Sequence, residues 1–573
     1  MKESVYDEKI WLKSHDKHVK RSFDYSKKPL GQIFDEAMQK FPDKPACWMM
    51  KREIPYKELR DYVHRFATFL QQNGLKKGDR VTICLPSCPQ YMIAHFGTLL
   101  AGGVASGCSF LLSADEIAYQ INDSEAKFLV TLDAIYQKIL KKEGVLDEVP
   151  KLETIIATNV SEYMGLSKII VFIGKLIGKI PKGKVKPHPG KKVVQFKDVM
   201  LTEPDLKEVS IDVNNDLALL QYTGGTTGRP KGTELTHMNL ISNITQISNW
   251  ADFVSGEDVF QSAFPFFHLA GLAFCQICVW NSNSQILIVN PRDTDHFIKE
   301  WIDRKPTLIL NVPTLYLMLM NNPKHENIPK ATLDNVKIYV SGAAPFPAES
   351  IKEFEEEFNA EKKVLEVYGM TETSPLITMN PRYGGSKIGT VGMPIQDTEI
   401  RLVDIDTGEP VELGQPGEII CKGPQVSRGY YKKPEANAKT IIDGWFHTGD
   451  VGVMDEDGFI KIVDRTKDML IVSGFKVYSV HVEDVLVKHP DIEIAALIGL
   501  KDPNRPGSEI VKAYIMLKKG VKAKEELQED IKRYAAENLS KYENPKQWEF
   551  RDELPLTLVG KVLKKELREE INQ

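Results

Sequence analysis

The chain alternates short, wholly apolar runs with stretches whose apolar residues recur at helical spacing. Arg80-Val-Thr-Ile-Cys-Leu85 is one such run, and the helical pattern of residues 89–101 follows it. The same pairing recurs at 307–312 and 314–320. Strands covered on both faces read as continuous apolar runs, so this alternation predicts a layered α/β architecture. A further run, Asp216-Leu-Ala-Leu-Leu-Gln-Tyr222, predicts a buried strand, and Thr236 precedes a helical pattern through Met238, Leu240, Ile241 and Ile244. Residues 398–403 and 417–421 are shorter strand-like runs and predict a β-rich subdomain. Residues 451–463 alternate around Asp455-Glu-Asp-Gly458, which signals a hairpin. The charged segment Asp464-Arg-Thr-Lys-Asp468 comes next, and the last hundred residues carry strand, helix and strand patterns of their own, with a helix expected over 524–539. The chain therefore divides into an N-terminal domain at 1–464, a hinge at 465–468 and a small α+β C-terminal domain at 469–573. No repeat period is evident.

Length agrees with that division, because 573 residues exceed what one core usually organises. Hydrophobic residues at 42% and charged residues at 27% fit an ordinary globular protein, and a net charge of −5 gives no reason to expect a nucleic-acid partner. Seven cysteines are too few for a disulfide framework, and the odd number argues for reduced thiols. Cys275 and Cys278 form a lone CxxC inside the apolar run 271–280; without a second pair they read as buried apolar residues. The N-terminus mixes charges and has no apolar signal region, and no apolar run is long enough to span a bilayer, so the expected location is cytoplasmic. One stretch changes this picture. Between Lys168 and Lys192 lie eight lysines and no acidic residue, around the apolar residues 169–180. Such a stretch suits peripheral contact with an anionic membrane, against the plainer alternative of a solvated Lys-rich insertion with a few packed isoleucines.

The densest chemistry lies in Tyr222-Thr-Gly-Gly-Thr-Thr-Gly-Arg-Pro-Lys-Gly232. Gly224, Gly225 and Gly228 let backbone N–H groups approach an anion, Thr223, Thr226 and Thr227 add hydroxyl donors, and Lys231 adds charge. A strand, this loop, a lysine and then a helix is an arrangement that holds polyphosphate. The spacing is not that of a Walker A loop. The competing reading is a surface turn of ordinary Gly/Thr composition.

This string resembles the signature of the acyl-adenylate-forming superfamily, which includes acyl-CoA synthetases, and further matches follow in that family's order. They are Phe264-Pro-Phe-Phe-His268, Ser341-Gly-Ala-Ala344, Val367-Tyr-Gly-Met-Thr-Glu-Thr373, Gly417-Glu418 with Arg428-Gly-Tyr430, and Trp445-Phe-His-Thr-Gly-Asp450. Asp464-Arg-Thr-Lys-Asp468, Ser473-Gly-Phe-Lys476 and Leu554-Pro-Leu-Thr-Leu-Val-Gly-Lys561 complete the set, which spans about residues 30 to 570. The resemblance implies a large N-terminal domain with a small mobile C-terminal one, and a reaction in which a carboxylate joins the α-phosphorus of ATP and pyrophosphate leaves. It also implies ATP, Mg²⁺ and coenzyme A as cofactors. Catalysis of this kind rests on positioning and fixed positive charge.

By the same resemblance, the 223–231 loop cradles the β- and γ-phosphates, and Glu372, with Thr227, holds Mg²⁺. Tyr368, Gly369, Met370 and Thr371 meet the adenine face and the α-phosphate, with Gly342, Ala343 and Ala344 on the adenine side. Asp450 accepts both ribose hydroxyls, and Arg465 contacts ribose and phosphate. Lys561 bridges the carboxylate and the α-phosphate during adenylation, whereas Lys564 and Lys565 read as surface lysines of a Lys-rich tail. Lys467 occupies the hinge position. After rotation Ser473, Gly474, Phe475 and Lys476 line the pantetheine path, and His268 stands beside the acyl carboxylate. Two positions depart from the family pattern: Ser479 replaces a proline and His481 replaces an acid.

No carboxylate lies near Phe267-His268 to pair with an amino group, so amino acids are disfavoured as substrates. The apolar run 269–275, with Val312, Pro313, Ala343 and Ala344, suits an aliphatic chain. Leu272 stands where some long-chain enzymes carry a tryptophan gate. The fatty-acyl-CoA synthetase branch fits best, with medium- or long-chain fatty acids as substrates. An aryl-CoA ligase, an acyl-AMP ligase loading a carrier protein, and a non-catalytic nucleotide-binding protein are the alternatives. The sequence sets no oligomeric state and leaves a homodimer open.

Overall fold

A computed structural model describes residues 4–141, 144–223, 229–473, 475–503, 505, 507–556 and 562–571. The expected layered α/β architecture is present, with two large sheets, a β-rich sheet and a small C-terminal α+β unit.

In the first large sheet the strand order is Lys192–Gln195, Thr154–Thr158, Phe128–Leu132, Arg80–Cys84, Val104–Gly107, Leu217–Thr223 and Lys231–Thr236. All neighbours are parallel except the last pair. Phe128–Leu132 and Thr154–Thr158 are buried at every position, as continuous apolar runs in a covered parallel sheet should be. The second large sheet has nine strands. Its parallel centre includes Val259–Ser262, Leu308–Asn311, Ile338–Ser341 and Val364–Gly369, and the hairpin partner Leu376–Met379 lies beyond.

Helices Pro89–Leu100 and Leu269–Trp280 are buried on nearly every face. A helix apolar all round belongs inside a protein, and these two pack in one core cluster with residues of both large sheets. Trp250, fully buried at the end of helix His237–Trp250, donates its indole N–H to Asn380 O at 2.9 Å and ties that helix to the second sheet.

The β-rich subdomain is a five-stranded antiparallel sheet built on Glu399–Val403, Gly417–Lys422, Trp445–Met454 and Ile460–Arg465. The hairpin read from Asp455-Glu-Asp-Gly458 joins its last two strands; Asp455 N donates to Phe459 O and Gly458 N to Asp455 O. After Arg465 come a two-stranded ribbon, Leu470–Val472 with Phe475–Val477, and a sheet of Ile492–Lys501, Glu509–Leu517 and Gln547–Arg551. Helices Ser479–Leu486, Glu525–Asn538 and Lys564–Ile571 cover it. The helix expected over 524–539 is Glu525–Asn538. The buried apolar clusters here draw on residues 470–567 only.

Two expectations need correction. The glycine/threonine loop does not lead directly into a helix, because Lys231–Thr236 intervenes as a strand antiparallel to Leu217–Thr223, with Lys231 opposite Thr223. The helix begins only at His237, capped by Thr236 Oγ1, which accepts from Asn239 N at 3.2 Å. The strands that flank the loop therefore form an antiparallel hairpin, and no helix N-terminus follows Lys231 directly. Lys564 is the second: it is not a surface lysine, since its side chain is 13% exposed and paired with Glu483.

Candidate active site

The hairpin that carries the phosphate-loop signature is held on two sides. Strand Lys231–Thr236 pairs with Leu217–Thr223 on one edge. On the other, Tyr431 N donates to Gly232 O at 2.8 Å, and Glu234 N donates to Gly429 O at 2.9 Å. Gly429 has φ of +119°, a region closed to most side chains, and there a Cβ would also meet the Asn437 amide. This backbone path sets Tyr430 against the start of the strand. Lys231 Nζ lies 4.8 Å from the centre of the Tyr430 ring, a cation–π distance.

Tyr430 also reaches Glu372, whose Oε1 accepts the phenol hydroxyl at 2.7 Å. Glu372 sits in a 3₁₀ turn, Thr371–Thr373, directly after strand Val364–Gly369. That turn folds back so closely that a Cβ on Gly369 would lie 1.9 Å from Pro375 O, so only glycine fits. Burial pushes the Glu372 carboxyl above its usual range, while the Tyr430 hydroxyl and the charges of Lys231 and Arg465 pull it down. A cation would relieve that burial penalty, so this carboxylate fits Mg²⁺. Mg²⁺ usually takes one or two carboxylates and completes its octahedron with phosphate oxygens and water. Among the described residues no cluster of three or more His, Cys, Asp or Glu competes with that arrangement.

Asp450 forms the second centre. It lies in the long strand Trp445–Met454, and its two oxygens are fixed separately: Oδ2 accepts from Tyr368 OH at 2.7 Å and Oδ1 from Arg465 Nε at 2.8 Å. A carboxylate has about four lone-pair sites, so each oxygen keeps one for a ligand diol. Tyr368 and Gly369 end their strand half-buried, and Met370 and Thr371 follow them, also half-buried. Gly342, Ala343 and Ala344 follow the neighbouring strand Ile338–Ser341, where a Cβ on Gly342 would lie 2.8 Å from a Val367 methyl. Glu418 supports the part of this strand before Asp450 by accepting from Gly449 N at 3.1 Å and meeting His447 Nδ1 at 3.0 Å.

His268 caps the apolar helix Leu269–Trp280, with Nδ1 accepting from Ala270 N at 3.3 Å and its ring tilted against Phe264 at 5.3 Å. The preceding carbonyl, Phe267 O, accepts from Gln221 Nε2 at 2.7 Å, which links His268 to the strand that enters the phosphate loop. Leu272, Cys275 and Cys278 are buried in this helix, and both thiols are free.

The expected site residues thus separate into groups. Lys231 and Glu372 meet through Tyr430, Tyr368 and Arg465 meet through Asp450, the charges of Lys231 and Arg465 both act on Glu372, and Thr223 ends the strand opposite Lys231. Lys467 lies two residues beyond Arg465, where burial and the nearby guanidinium push its ammonium below the usual lysine range. Lys476 is elsewhere, paired with Asp406 at 2.9 Å on the β-rich subdomain, and Phe475 stacks on Tyr542 at 4.7 Å. Gly224, Gly225, Thr226, Thr227, Gly228, Gly474 and Lys561 lie outside the described residues. Tyr430 and Glu418 had no role from sequence; both fall in the Gly417-Glu418 and Arg428-Gly-Tyr430 matches, which was the available signal.

The chain belongs to the AMP-binding enzyme family, whose model matches residues 34–431; the model for the AMP-binding enzyme C-terminal domain matches residues 481–561. It is 34% identical to a long-chain-fatty-acid–CoA ligase of Bacillus subtilis over 99% of both chains, and 36% identical to one of Yersinia pestis over 98% of both. A feruloyl-CoA synthase of Amycolatopsis is 32% identical, over 90% of this chain and 93% of that protein. Among solved structures, ATP-bound MatB from Rhodopseudomonas palustris superposes with a TM-score of 0.80 at 28% identity, covering 95% of this chain and 99% of that one.

Proposed function

We propose that the protein is an ATP-dependent, AMP-forming acyl-CoA synthetase that activates medium- or long-chain fatty acids. The observation that carries this reading is the pair of clusters Lys231–Tyr430–Glu372 and Tyr368–Asp450–Arg465, linked by the charge of Arg465 on Glu372, together with an apolar helix headed by His268 that is tied to strand Leu217–Thr223 through Gln221. In the first half-reaction a fatty-acid carboxylate oxygen attacks the α-phosphorus of ATP, the bond to the β-phosphate oxygen breaks, and pyrophosphate leaves. Lys231 and the 223–228 backbone hold the β- and γ-phosphates. Asp450 orients the ribose through the lone pairs that its two protein donors leave. Glu372 and Thr227 would hold Mg²⁺, which when bound would offset phosphate charge. Lys561 bridges carboxylate and α-phosphate. Each group acts by placing positive charge or fixing geometry. In the second half-reaction the coenzyme A thiol attacks the acyl carbon and AMP leaves, after the 469–573 domain turns at Lys467. Separate apolar cores on either side of residues 464–468 support that division. Lys476 leaves Asp406 in the turn and lines the pantetheine path with Gly474.

The full-length similarity to long-chain ligases supports an aliphatic acid, as does the fully apolar helix Leu269–Trp280. Aromatic acids are the competing class because of the feruloyl-CoA synthase relative. The protein also works at an anionic membrane surface, through helix Lys168–Leu176, which has no buried residue. The test of the chemistry is pyrophosphate–ATP exchange that depends on added fatty acid. Lys561→Ala should lose this exchange yet still convert supplied acyl-AMP to acyl-CoA; equal loss of both steps would refute the role given to Lys561.

A further inference from the structure

Ser479 opens helix Ser479–Leu486 and is fully buried. Its backbone N–H and its hydroxyl both donate to Asp464, the hydroxyl at 3.1 Å to Oδ1. Asp464, also fully buried, is the penultimate residue of strand Ile460–Arg465 and precedes Lys467 by three residues. Ser479 Oγ in turn accepts from Lys564 Nζ at 2.8 Å, and Lys564 pairs with Glu483 at 2.7 Å. Glu483 Oε1 also accepts from Leu497 N at 2.6 Å. Lys564 heads helix Lys564–Ile571, three residues after Lys561. A second tie runs from Arg568 of this helix to Asp468 at 2.7 Å.

The two ties differ in one respect. Asp468 and Arg568 both follow Lys467, so a turn there carries them together. Asp464 precedes Lys467, whereas Ser479 and Lys564 follow it, so the same turn pulls them apart. In the present arrangement Lys476 is engaged with Asp406 and Asp404 of the β-rich subdomain, so this orientation is not the one in which Lys476 lines a thiol path.

We propose that Ser479 is a positioning residue: the Asp464–Ser479–Lys564 hydrogen-bond chain latches the small domain in the adenylation orientation, in which Lys476 stays on Asp406. This rests on the two-step reading above. The latch depends on serine at this position, because a proline would have neither the N–H nor the hydroxyl.

That difference supplies the test. Ser479 is the first residue of its helix, a position where proline is accommodated, and Tyr478 at φ −86°, ψ 109° already has the extended backbone that precedes proline. Ser479→Pro therefore removes both donors without breaking the helix. Hydrogen bonds to a charged group are the stronger kind, so their loss should slow fatty-acid-dependent pyrophosphate release about tenfold. Conversion of supplied acyl-AMP to acyl-CoA should be unchanged or faster. Lys564→Met, which keeps the stem and loses the donor, should move the two half-reactions the same way, and Lys564→Arg should restore them. Unchanged half-reactions, an equal fall in both, or a fall in thioester formation alone would overturn the latch. Wild-type enzyme without fatty-acid-dependent pyrophosphate release would instead overturn the synthetase reading itself.

Discussion

Tyr430 links two parts of the proposed phosphate site, resting its ring on Lys231 and its hydroxyl on Glu372, 58 residues away in sequence. Replacing it with phenylalanine keeps the ring under Lys231 and removes one donor from a buried carboxylate. Hydrogen bonds to charged groups contribute about 1.5–3 kcal/mol, so Tyr430→Phe should lower kcat/KM for Mg·ATP about tenfold or more, with little change in the fatty-acid KM. An unaltered kcat/KM would remove Tyr430 from the site. Glu366, on the strand that leads to Tyr368, poses a different question. Burial pushes its carboxyl up to about 7, against the N–H of Gly389, which donates to Oε2 at 2.8 Å. Because the folded protein favours the neutral form, Glu366 contributes stability below its unfolded pKa and loses it as pH rises toward 7. Glu366→Gln fixes a neutral side chain. Its Tm relative to wild type should therefore rise between about pH 4.5 and 7; parallel Tm–pH curves for the two proteins would contradict this.

At the scale of elements, the sequence was most legible where one physical cause acts alone. Continuous apolar runs could only be covered strands, and Thr236 could cap the helix that follows it, so Leu217–Thr223 and His237–Trp250 were readable. Lys231–Thr236 was not, because Lys-Gly-Thr-Glu-Leu-Thr has weak strand character and is held as a strand by Leu217–Thr223 on one edge and by the distant Gly429 and Tyr431 on the other. Lys564 illustrates the same limit: in a Lys-rich tail nothing local separates it from Lys565, and only folding brings it to Glu483 and Ser479. The Asp450 centre was legible as a motif, but the donors on its two oxygens come from Tyr368 and Arg465, which tertiary structure selects. His481 lies 4.0 Å from Glu543, and nothing in the structure explains why it replaces an acid.

For the whole molecule, one surface is out of keeping with the rest. Helix Lys168–Leu176 exposes Ile169 at 72%, Phe172 at 69% and Leu176 at 68%, with Ile170, Ile173 and Ile177 about half exposed. Full burial of a large apolar side chain contributes about 1.5–3 kcal/mol, and each lysine near an anionic leaflet adds about 1 kcal/mol. Among the described residues no helix is long and apolar enough to cross a membrane, so this helix would lie in the interface. The protein should sediment with phosphatidylglycerol vesicles and not with phosphatidylcholine vesicles. Ile169→Asp with Phe172→Asp should abolish sedimentation while leaving turnover of a water-soluble medium-chain acid unchanged. Vesicle binding that survives this pair would exclude the helix as the contact.

Synthesis of acyl-CoA from fatty acids through an adenylate is tested most directly by one measurement. It is the rate of AMP formation from Mg·ATP across acids from acetate to oleate, with cinnamates included, with and without coenzyme A. Turnover should require coenzyme A and peak at a medium or long aliphatic chain. A peak at a cinnamate, or pyrophosphate release that never yields a thioester, would contradict it.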